Sequence, residues 1–129
     1  MPPRQSETLT EAELRLMDVL WTKGSATVQQ VLDALPRSPA LAYNSVLTTI
    51  RVLERKGYVQ HKKDRRAHIY SPVVDRGDAS RSAVRQVVSR FFKNSHQLLV
   101  LNVLQDEQIS SEELNNLRKL LDDAAEGKR

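Results

Sequence analysis

The 129-residue sequence contains no cysteine. Disulfide frames, thiolate metal sites and cysteine nucleophiles are therefore excluded. Long apolar runs are also missing: none exceeds four residues, as at Leu98 to Leu101, so no segment is suited to crossing a bilayer. Met1 to Thr8 is polar and has no apolar stretch of the signal-peptide kind. There are only four glycines, and they form no Gly-rich phosphate loop or nucleophile elbow, so no enzyme is expected. What the chain does have is 40% hydrophobic and 28% charged residues, enough for a modest core and too apolar for wholesale disorder. A cytoplasmic protein without cofactor or metal is the expectation.

The formal charge of +4 hides a division. Arg51 to Arg66 holds seven basic side chains against two acidic ones, whereas residues 94–127 hold two basic against seven acidic. A basic segment suits phosphate contact, because neutralised phosphates release condensed counterions. It equally suits a solvated, charge-rich hairpin, and charge alone does not separate the two.

Helix signals come next. Thr10-Glu11-Ala12-Glu13 is a capping box that opens a helix over 11–23, with Leu14, Met17, Leu20 and Trp21 as its apolar stripe and Gly24 as its stop. Thr27-Val28-Gln29-Gln30 is a second box, opening a short helix that Pro36 ends, and Ala26 offers one short strand before it. Residues 36–40 read as a turn. A third helix begins between Pro39 and Tyr43 and runs to Lys56, with Val46, Ile50 and Leu53 inward. Its opposite face carries Asn44, Ser45, Thr48, Arg51 and Arg55, an unusual choice where Glu, Lys and Gln normally supply propensity.

Tyr58 to Lys63 and Ala67 to Pro72 read as a hairpin, with Val59 and Ile69 inward and Lys62, Lys63, Arg65 and Arg66 near its tip. A long helix then opens at Asp75 to Asp78 and runs to about Lys93. Residues 96–105 are apolar on every side, which calls for burial on every side. Ser110-Ser111-Glu112-Glu113 is a third capping box, opening the last amphipathic helix.

Three short helices and a two-stranded hairpin give a winged helix-turn-helix order, so the expected fold is mainly α with a small β-hairpin. We expect a flexible arm at 1–8, a DNA-binding domain at 9–74 and a helical dimerisation domain at 75–129. In such a module the third helix enters the major groove. Asn44, Ser45, Thr48 and Arg51 would face base edges, while Tyr43, Arg55, Lys56, Lys63, Arg65 and Arg66 complete the DNA-binding set, largely through phosphates. The tail has more apolar surface than a small domain covers. A second copy is expected on Phe91, Phe92, Leu98, Leu101, Leu104, Leu114, Leu117 and Leu121; the other reading folds the tail back on its own domain.

Several runs resemble the penicillinase-repressor (BlaI/MecI) family: Leu9-Thr10-Glu11-Ala12-Glu13-Leu14 with Val19-Leu20-Trp21 and Lys23-Gly24, then Val46 through Gly57, His61-Lys62-Lys63-Asp64, and Leu101-Asn102-Val103 with Leu114 and Leu117 to Leu121. The resemblance covers about residues 9–122. It implies a homodimeric repressor on palindromic operators, linked to antibiotic-resistance regulation, paired with a membrane sensor carrying a metallopeptidase domain, and released by cleavage in the tail. The matching bond is Asn102–Val103, where the best-known members carry Phe after the Asn. The copper-responsive branch carries a cysteine motif that this chain lacks. Asn102 also suits a polar residue that sets register at an interface.

Blander readings stand beside these. His61, His68 and Asp64 are β-surface residues more readily than metal ligands. Trp21 reads as core, and Phe91-Phe92 as packing. Two other function classes are a ligand-sensing winged-helix regulator and a winged helix used for protein interaction. The first usually places a dimerisation helix ahead of the winged domain, and here only about nine residues precede helix one. The polar groove face and basic hairpin argue against the second.

Overall fold

The structure, a computed structural model, describes residues 8–37 and 40–128. The expected arm lies outside them except for Thr8, as do Ser38 and Pro39 of the expected turn. In chain order the elements are α1 (Glu11–Lys23), α2 (Val28–Ala34), α3 (Tyr43–Lys56), β1 (Val59–Asp64), β2 (Ala67–Pro72), α4 (Arg76–Phe91), α5 (His96–Leu104) and α6 (Ser111–Gly127). This is the winged helix-turn-helix order followed by helices. The chain divides into two compact units, with the boundary between Gln86 and Val87, inside α4. No described helix is long and apolar enough to cross a membrane.

Local chemistry sets the ends of the helices. Thr10 and Thr27 both make reciprocal capping boxes, with Glu13 and Gln30. Ser110 accepts from the Glu113 N–H at 3.1 Å, one half of the expected box. Gly57, at φ 91°, ends α3 in the left-handed region that glycine adopts without a Cβ penalty.

The core of the first unit gathers Leu16, Met17 and Leu20 from α1, Val31 from α2, and Val46, Ile50 and Leu53 from α3, all buried. The α3 stripe is the one expected. On α1 the buried face is rotated by about one position, because Leu16 turns inward with Met17 and Leu20 while Leu14 is 42% exposed. Glu13 shares that buried face instead of standing in solvent. Its carboxylate accepts from the Thr10 N–H at 2.9 Å and from Lys56 Nζ at 2.7 Å. The Lys56 and Glu13 side chains are only 11% and 6% exposed, so the pair ties the start of α1 to the end of α3.

Trp21 sits at the edge of the core, half-buried, and its Nε1 donates to the Val74 carbonyl at 2.8 Å. The Arg76 guanidinium lies 4.8 Å from the Trp21 ring centroid and pairs with Asp18 at 2.7 Å. These bonds draw the first turn of α4 onto the first unit.

In the hairpin, Val59 pairs with Pro72, His61 with Tyr70, and Lys63 with His68. Tyr70, not Ile69, is the inward residue, which corrects the expected register. Side chains alternate, so Ile69 shares the outer face with Lys62 and Asp64, while Val59, His61, Lys63, His68 and Tyr70 share the inner one. The reason is the bridge to Ala26: the Tyr70 N–H donates to the Ala26 carbonyl at 2.8 Å and the Ala26 N–H to the Tyr70 carbonyl at 2.9 Å. The short strand expected at Ala26 is this isolated bridge.

The second unit has almost no core. Among its described residues only Val88 is buried, and α5 is exposed except at the half-buried Leu99, instead of covered on all sides. A 230 Å³ apolar groove between α5 and α6 is lined by Leu99, Val100, Val103, Leu104, Leu117, Leu120 and Leu121.

The Glu13–Lys56 pair is directly testable. Burial alone raises a carboxyl, yet the Lys56 ammonium and the Thr10 N–H together hold Glu13 below its ordinary value of 4.5. Lys56→Met is expected to lower the unfolding free energy by about 1.5–3 kcal/mol, measured by urea denaturation at neutral pH. A lowered carboxyl contributes its stability above the ordinary carboxylate range and loses it as pH falls through the folded value. Wild-type and Lys56→Met stabilities should therefore converge on acidification. A constant gap down to about pH 3 would rule the pair out as a pH-linked tie.

Candidate nucleic-acid interface

The outer face of α3 is built by subtraction. With Val46, Ile50 and Leu53 fixed in the core, a helix of 3.6 residues per turn must present Asn44, Ser45, Thr48, Arg51 and Arg55 outward, and all five are exposed. The Thr48 hydroxyl donates to the Asn44 carbonyl at 2.8 Å, which steers its oxygen along the helix. No side chain caps α3 at Ala42.

Between this helix and the wing runs a groove of 420 Å³, lined by Tyr43, Leu47 and Arg51 of α3, Arg66, Ala67, His68 and Tyr70 of the wing, and Thr27, Val28 and Gln29 at the start of α2. No lining residue is acidic. The nearby carboxylates are occupied or turned away: Glu54 Oε2 lies 2.6 Å from His61 Nδ1, and Asp64 shares the outer face of the hairpin. A cleft lined by guanidinium groups and by no carboxylate attracts anions.

The expected DNA-binding residues divide. Tyr43, Arg51 and Arg66 meet in the groove, Asn44, Ser45, Thr48 and Arg55 stand on the exposed face of α3, and Lys63 and Arg65 lie on the hairpin near its tip. Lys56 is apart from them, turned inward onto Glu13. Thr27, Gln29 and His68 also line the groove; the sequence marked Thr27 as a helix cap and His68 as a β-surface residue, and none of the three as a DNA contact. For His68 the signal was parity with Tyr70, hidden by the choice of Ile69 as the inward residue. His61, His68 and Asp64 do not share a face, and among the described residues no three His, Cys, Asp or Glu side chains form a metal-binding group.

Of the residues expected at a second copy, Phe91 is 72% exposed. Leu98, Leu101, Leu104, Leu114 and Leu121 are also exposed, while Phe92 and Leu117 are half-buried. Asn102 and Val103 are exposed in the last turn of α5.

The chain is similar to known proteins. Residues 9–123 match the family described as Penicillinase repressor. The penicillinase repressor of Bacillus licheniformis is 29% identical over 115 residues, covering 89% of this chain and 90% of that protein. The transcriptional regulator BlaI of Mycobacterium tuberculosis is 30% identical over 115 residues, covering 88% and 82% respectively. Among solved structures, the DNA-binding domain of the repressor BlaI superposes with a TM-score of 0.52 at 27% identity, covering 58% of this chain and 92% of that one.

Arg65 at the hairpin tip has φ 56°, in the region that favours glycine. An arginine held there at a conformational cost points to use of its charge. Arg65→Gly is expected to raise the unfolding free energy by up to about 1 kcal/mol, read from the urea midpoint. A lower midpoint would mean that the arginine stabilises the turn instead.

Proposed function

The chain belongs to the penicillinase repressor family, and we propose that it is a homodimeric DNA-binding transcriptional repressor acting on a palindromic operator. The observation that carries this reading is the acid-free groove between the exposed polar face of α3 and the wing. Asn44, Ser45 and Thr48 on the exposed face of α3, with Arg51 in the groove beside them, address base edges, where Asn and Arg make bidentate contacts. Tyr43, Arg55, Lys63, Arg65 and Arg66 contact phosphates and fix register. Lys56 serves the interface indirectly, by holding the end of α3 against α1.

Residues 9–74 form the DNA-binding domain in this reading, and 75–129 the dimerisation domain. The uncovered faces of α5 and α6 support a second copy as the missing neighbour. Two linked heads address two half-sites about one helical turn, or a small multiple, apart. Release follows cleavage at Asn102–Val103, signalled through a membrane sensor with a metallopeptidase domain. The bond lies in the last turn of α5, so that turn must open before a protease can grip it. A protein that represses genes in this way works in the cytoplasm, where the DNA is.

Two measurements test the proposal. Arg51→Ala should weaken binding to the operator, defined by footprinting on the gene's own upstream DNA, by about 1–3 kcal/mol, with a smaller loss on mixed-sequence DNA. Equal losses on both would reduce Arg51 to a phosphate contact. A chain ending at Asn102 lacks all of α6 and should sediment as a monomer. Its affinity for a two-site operator should fall by about 10²–10⁴. Dimers of that shortened chain at micromolar concentration would sink release by cleavage.

A further inference from the structure

Two imidazoles on the inner face of the wing are left unused by this function. His61 is fixed from below: its Nδ1 lies 2.6 Å from Glu54 Oε2 on α3. The His68 ring stacks on it, with centroids 4.7 Å apart and planes 16° from parallel. The stack carries His68 into the groove beside Tyr43, Arg51 and Arg66. Among the described residues, no group forms a hydrogen bond with the ring nitrogens of His68.

The surroundings of His68 are positive. On α3, Arg51 is cationic, and the Glu54 carboxylate held at His61 opposes it with a single negative charge that also reaches Tyr70. Lys63 of β1 is its cross-strand partner, and Arg66 follows from the turn. Burial and then the Glu54 carboxylate push the Tyr70 phenol above its ordinary range, and Thr27 and Gln29 of the α2 side carry no charge. A proton added to His68 in the free protein adds positive charge to a groove that Arg51 and Arg66 already line and to a strand pair that Lys63 shares. A phosphodiester in the groove reverses that balance, because its oxygen accepts the N–H and its charge offsets the new cation.

We propose that His68 is a proton-linked phosphate contact of the DNA interface, positioned by His61 through its bond to Glu54. The proton comes from solvent, resides on a ring nitrogen of His68, and leaves when the DNA does. This inference rests on the DNA-binding reading above and adds to it a binding residue and a dependence on pH. Among the common side chains, imidazole is the one whose ordinary titration falls in the physiological range.

The test is fluorescence anisotropy of the full chain with a labelled mixed-sequence duplex at constant ionic strength, between about pH 8 and pH 6. Affinity of the wild type should rise as pH falls, by about threefold to tenfold per pH unit, the upper value corresponding to one proton. His68→Gln should flatten that slope, losing the gain in affinity on acidification. His61→Gln should keep a slope, since the proton resides on His68, and bind more weakly throughout because the ring has lost its support. A wild-type slope near zero, or the same slope in His68→Gln, overturns the inference and leaves DNA binding standing. Absence of binding to the duplex at every pH overturns both readings together.

Discussion

The geometry of the winged unit depends on where Tyr70 points. Its ring is buried, and its backbone exchanges two hydrogen bonds with Ala26. A strand alternates faces, so fixing one residue fixes all the others. With Tyr70 inward, His61, Lys63 and His68 turn toward α3, and Lys62, Asp64 and Ile69 turn away. A slip of one residue would bring Asp64 onto the groove side and remove both imidazoles. The electrostatic character of the candidate interface therefore depends on a buried phenol and a two-bond bridge that touch no ligand.

Much of this was legible in the sequence. The boxes at Thr10 and Thr27 mark helix starts because their side chains satisfy N–H groups that nothing else can reach. The exposed face of α3 follows from its buried stripe, and the hairpin from two β-prone runs around a polar tip. What escaped was decided by contacts distant along the chain. Ile69 and Tyr70 are both suited to an inward position, and the choice was made by Ala26, more than forty residues earlier. Glu13 looked like a capping residue alone, because its second partner, Lys56, lies at the far end of another helix. Lys56 looked like a phosphate contact for the same reason.

Charge in this chain is better understood by position than by sum. Of the basic residues between 51 and 66, Lys56 is spent inside the fold, while Arg51 and Arg66 meet at the groove. The acidic excess lies in residues 94–127, on and around the helices whose apolar faces are uncovered. In the proposed dimer this arrangement repels the pairing helices from DNA and leaves the wing and α3 as the surface it meets. Electrostatics and apolar exposure thus separate the two tasks along one short chain.

The bridge at Ala26 also bears on what this protein avoids. A two-stranded sheet has two open edges, and each can recruit a stray strand from another chain. At Tyr70 the edge of β2 is already occupied by Ala26. The other edge, along β1, carries Lys62 and Lys63, whose ammonium groups discourage strand-to-strand stacking. A basic strand and a single borrowed residue thus guard the hairpin against aggregation, a hazard for a repressor that must stay dissolved while it waits at its operator.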